Sequence, residues 1–176
     1  MMSGEYSTGL IRTTLTATPR RLTVLGAKAT VVVTLTYVGG LLAGTLGYAT
    51  GRVLLAEEGY RPGEPVPALF GIALTFSATG LLGLTAAVIL RHTAGALTVA
   101  IGVVLLPAIL GPILGAWGRW VVAAAPTTAL QKLAQSSDAT AETMGGIGAW
   151  PTLALVCGYT IIALGIAGWL LRSRDA

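Results

Sequence analysis

Side chains able to do covalent or acid–base chemistry are scarce in this sequence, and none stand at a spacing that would let them cooperate. His92 is the sole histidine and follows Arg91 in a short polar break between apolar runs, where an exposed interfacial position is expected. Cys157 is the only cysteine and lies inside an apolar run. It reads as a small hydrophobe, with no partner for a disulfide or a thiolate metal site. Neither lysine, Lys28 or Lys132, closes a G-x-x-x-x-G-K-[ST] phosphate loop, and H-E-x-x-H, C-x-x-C and G-x-S-x-G are absent. No catalytic, metal or cofactor-binding residues are therefore expected, no cofactor, and no nucleic-acid partner. The chain is not expected to be an enzyme by itself.

The chemistry that remains is that of charge, and it gathers in residues 4–28, GEYSTGLIRTTLTATPRRLTVLGAK. Glu5 marks an acidic end; Arg12, Arg20, Arg21 and Lys28 make a basic one. Tyr6, Leu10, Ile11 and Leu15 can form a modest apolar face. Pro19 ends that helix near Ala17, because the residue before a proline is pushed out of helical geometry. Arg20, Arg21 and Lys28 then meet anionic headgroups, at about 1 kcal/mol for each basic residue near the surface. Two readings stand: a docking segment on which a partner protein pushes, or basic residues that only fix topology.

The elements that hold these groups must live in lipid. Apolar residues make up 54% of the 176 and charged residues 10%, where a soluble domain has roughly 25% charged. Mean hydropathy is +0.79. So few charges cannot cover the apolar surface of a soluble fold of this size. Four uncharged segments reach the roughly 20 residues a bilayer crossing needs: 29–50, 67–90, 93–117 and 151–171. Lipid offers backbone groups no other partner, so each is expected to be helical. The fold class is all-α: a polytopic membrane helix bundle of four transmembrane helices, preceded by a cytoplasmic amphipathic segment (1–28) and closed by a short tail (172–176).

With the N-terminus inside, Arg12, Arg20, Arg21, Lys28, Arg91, Arg172 and Arg174 face the cytoplasm. Arg52, Arg61, Arg119 and Lys132 fall outside, seven against four of the eleven basic residues. The positive-inside rule then places both termini in the cytoplasm. The small-residue bias, with Arg favoured over Lys, points to a bacterial cell membrane.

Gly40 and Gly44, Gly47 and Gly51, and Gly111 and Gly115 each stand at the spacing that lets helices approach closely, and are read as packing faces. Thr34, Thr36, Thr45, Thr75, Ser77, Thr79, Thr85 and Thr160 are expected to bond to the carbonyl one turn back, with a polar translocation path as the alternative. Pro107 and Pro112 interrupt the third span and make it the one most prone to bend, as a gating element or a static kink. The outer loops are 51–66, with no assigned role, and 118–150. In the second, Pro126 opens a short helix whose Ala129, Leu130, Leu133 and Ala134 share a face. It is expected to lie in or dip into the outer interface, with Trp117, Trp120 and Trp150 at headgroup level.

No span carries a carboxylate, so uphill movement of a substrate needs energy from another polypeptide. Here the N-terminal stretch acquires a specific meaning. Followed at once by an apolar span, it resembles the first cytoplasmic loop of ATP-binding-cassette (ABC) transporter permeases of the type-2 exporter family. In that family a Glu, a Gly, an Arg and a Pro-Arg-Arg-like turn lead through Ala-Lys into a membrane helix. The matching positions are Glu5, Gly9, Arg12, Pro19, Arg20, Arg21, Ala27 and Lys28. The resemblance spans essentially the whole chain, and the N-terminal stretch is its specific part.

The resemblance implies a permease subunit that forms the translocation path, dimeric (a homodimer or heterodimer of permease subunits) and coupled to a cytoplasmic ABC ATPase subunit. Glu5, Tyr6, Gly9, Arg12, Pro19, Arg20, Arg21 and Lys28 become the candidate ATPase-coupling residues. The family has two spans before this loop, so the chain is expected to be a permease lacking its first two transmembrane helices. The alternative is a non-transporting membrane scaffold or accessory protein, or an inactive permease fragment.

Overall fold

The computed structural model describes residues 21–55, 65–90, 92–111, 113–134 and 146–173. Among them every regular element is helical: α1 (Arg21–Leu54), α2 (Pro65–Leu90), α3 (Thr93–Leu110), a 3-10 turn (Gly115–Trp117), α4 (Gly118–Ala123), α5 (Pro126–Leu133) and α6 (Ala149–Ser173). Helix α1, α2 and α6 are each long and apolar enough to cross a membrane. Together with the composition, they make this a membrane-embedded helical protein.

Two boundaries differ from the sequence reading. The first expected span lies inside one unbroken helix of 34 residues, so the end of the basic segment, from Arg21 to Lys28, is the first two turns of α1. The uncharged part between Lys28 and Arg52 rises about 35 Å at 1.5 Å per residue, enough for a hydrocarbon core of about 30 Å. The third expected span, 93–117, stops being helical at Leu110 after 18 residues. Pro107 sits inside α3 and has no N–H to offer the carbonyl of Val103. The chain then turns, and Gly115 takes a φ of +55° that side chains disfavour. Apolar composition continues to Trp117, but the backbone does not stay in register with it.

Helix α1 and α2 form an antiparallel pair held at backbone distance by small residues. A Cβ at Gly40 would stand 2.9 Å from the Cα of Ala73, and one at Gly44 3.0 Å from the Leu69 side chain. Gly80 returns the contact from α2, 2.8 Å from Thr36 Cγ2. Of the three glycine pairs, then, Gly40 and Gly44 form a packing face. Gly47, Gly51 and Gly115 meet nothing within 4 Å, and Gly111 is used differently, as described below. The eight hydroxyls singled out from the sequence all donate to a carbonyl three or four residues back, among them Thr75 to Gly71 (2.9 Å) and Thr160 to Val156 (2.6 Å). Ser77 also reaches across to the Val33 carbonyl on α1 at 3.5 Å.

Helix α2 is the hub, touching α1, α3, α5 and α6. One core cluster joins Leu25, Leu84, Ala87, Val88, Ala96 and Leu171. It fixes the start of α1, the end of α2, the start of α3 and the end of α6 at one end of the bundle. Lys28 and Arg172 therefore share that end, while Arg52 and the α4–α5 region lie towards the other.

Candidate functional site

The second end of the bundle is built around the α4–α5 hairpin, which is lodged among the long helices. Ala125 is extended (φ −76°, ψ 141°) because Pro126 follows it, and Pro126 then opens α5 where its missing N–H does no harm. The buried face of α5 consists of Pro126, Thr128, Ala129 and Leu133. Leu130 is half-buried and Ala134 exposed, so the apolar face drawn from periodicity is rotated. The reason is what α5 packs on. Ala129 is fully buried in a second core cluster with Ala78 of α2 and Val156 of α6. Leu133 rides over Gly71, where a Cβ would lie 2.7 Å from its Cδ2. The expected dip into the interface is a dip into the bundle, between α2 and α6.

Irregular backbone at membrane depth must be satisfied by the protein. The Ala124 N–H bonds to Trp120 O and the Ala125 N–H to Val122 O. The Tyr159 hydroxyl of α6 donates to the Ala124 carbonyl at 3.3 Å. On the far side of α5, Lys132 Nζ donates to Ile147 O (2.6 Å) and to Thr152 Oγ1 (3.2 Å), tying α5 to the start of α6. Partial burial lowers the Lys132 pKa from the ordinary lysine value by disfavouring the charged form.

Upstream, α3 and α4 meet backbone to backbone. A Cβ on Gly118 would fall on the Gly111 carbonyl, and one on Gly111 would strike the Val122 side chain. Between α3 and this hairpin runs an open apolar groove of about 590 Å³. Gly102, Leu106 and Pro107 form one wall, Val121 and Pro126 the other, and Tyr159 the floor.

Of the expected coupling residues, Glu5, Tyr6, Gly9, Arg12, Pro19 and Arg20 lie outside the described residues, as does the kink candidate Pro112. Arg21 and Lys28 occupy the first two turns of α1. Between them Leu22 and Leu25 pack on Gly168 of α6, at 3.5 and 3.9 Å from the position of a Cβ there. Pro107 lines the groove. His92 caps α3, its Nδ1 accepting from the Gly95 N–H at 3.4 Å, and Cys157 is half-buried. Among the described residues no group of His, Cys, Asp or Glu could hold a metal.

The sequence reading missed Tyr159. Its signal was a phenol in the middle of an apolar span, which needs an acceptor when buried. Comparison with family models, curated proteins and solved structures returns no match for this chain.

Proposed function

We propose that this chain is the membrane-spanning permease subunit of an ATP-driven ABC exporter of the type-2 class, coupled to a separate cytoplasmic ATPase. The observation that carries the reading is the continuity of α1, one helix from Arg21 to Leu54. The end of the basic segment, Arg21 to Lys28, belongs to that helix and runs without a break into the first span. A push delivered to Arg21–Lys28 moves a rod rather than a tether. That rod is packed on α2 through Gly40 and Gly44 and on α6 through Leu22 and Leu25, so displacement at the basic end reaches the two other long helices directly.

In this reading α3 is the fourth crossing, shortened at its outer end, where the chain turns back into α4. Both termini, with Lys28 and Arg172, face the cytoplasm of a bacterial cell, and two permease subunits form the working unit. The ATPase supplies the energy that no span carboxylate can.

The test is reconstitution. The protein is expected to co-purify with an ATPase encoded beside it and to drive ATP-dependent export in proteoliposomes. Glu5→Lys and Arg12→Glu are expected to lower export about tenfold, the factor that about 1.4 kcal/mol of lost contact produces, with membrane insertion unchanged. Unchanged export in both variants removes the docking role. No ATP-dependent movement of any tested substrate leaves the scaffold reading.

A further inference from the structure

We draw no further inference here: the strongest candidate, the open apolar groove between α3 and the α4–α5 hairpin, carries nothing because nothing in the structure shows what covers it.

Discussion

At the scale of single residues, the glycines sort by what a methyl group would touch. Gly118→Ala places that methyl on the Gly111 carbonyl, where no side-chain rotation relieves it. Gly40→Leu drives into the Cα of Ala73. Both are expected to lower stability by about 1–3 kcal/mol, the range for overpacking. Gly47→Ala is the counterexample: its Cβ meets nothing within 4 Å, and a helical Gly to Ala change gains up to about 1 kcal/mol of propensity. Thermal unfolding in detergent is expected to rank the three as Gly47→Ala highest, the parent next and the other two below it. Spacing alone could not make this distinction. Gly40–Gly44 and Gly47–Gly51 have the same pattern, and only the position of α2 separates them. The Gly111–Gly118 contact was illegible for another reason. It joins two elements across a turn, whereas the eye pairs Gly111 with Gly115 on one helix.

At the scale of elements, the long helices were legible because uninterrupted apolar sequence leaves lipid-embedded backbone no choice but helix. The end of α3 was not, since composition stays apolar through Trp117 while Pro107 removes a hydrogen bond and Gly115 reverses the chain. Pro107→Ala restores an N–H that can bond to Val103 O. The substitution is expected to stabilise the last turn of α3, by up to the roughly 3 kcal/mol that separates proline from alanine in a helix interior. Hydrogen exchange of the amides at 107–111 reads it as slower exchange; unchanged exchange means the turn is held by Gly111 and Gly118 alone. For α5 the existence and start were readable from Pro126 and the apolar pattern. Its burial was not, because the groove that receives it is made by Gly71 and Ala78 on a helix about fifty residues earlier.

At the scale of the whole molecule, the arrangement predicts which ends share a side of the membrane. The cluster of Leu25, Val88, Ala96 and Leu171 keeps the start of α1 with the end of α6, and a 25-residue α6 carries Gly146 to the opposite side. In a Cys157→Ala background, Ser173→Cys is expected to react with a membrane-impermeant thiol reagent only after cells are opened, and Gly146→Cys in intact cells. The reverse pattern inverts the proposed orientation, and reaction of both from one side breaks the reading of α6 as a crossing. The expected side for each end comes from charge placement, seven basic residues against four. The coupling segment was legible only as a pattern of residue types. Most of it, from Glu5 to Arg20, lies outside the described residues, and its meaning rests on the resemblance and on how α1 continues it.

The back-bonded hydroxyls of α2 bear on how the protein is made. Helix α2 leaves the ribosome well before α5 and α6, the helices that will cover it, and its Thr75 and Thr85 would face bare lipid in the interval. Each already donates within its own helix, to Gly71 and Leu82, so neither needs a neighbour to be tolerated there. The later helices can therefore be added laterally to an α1–α2 pair whose own hydroxyls make no demand on them.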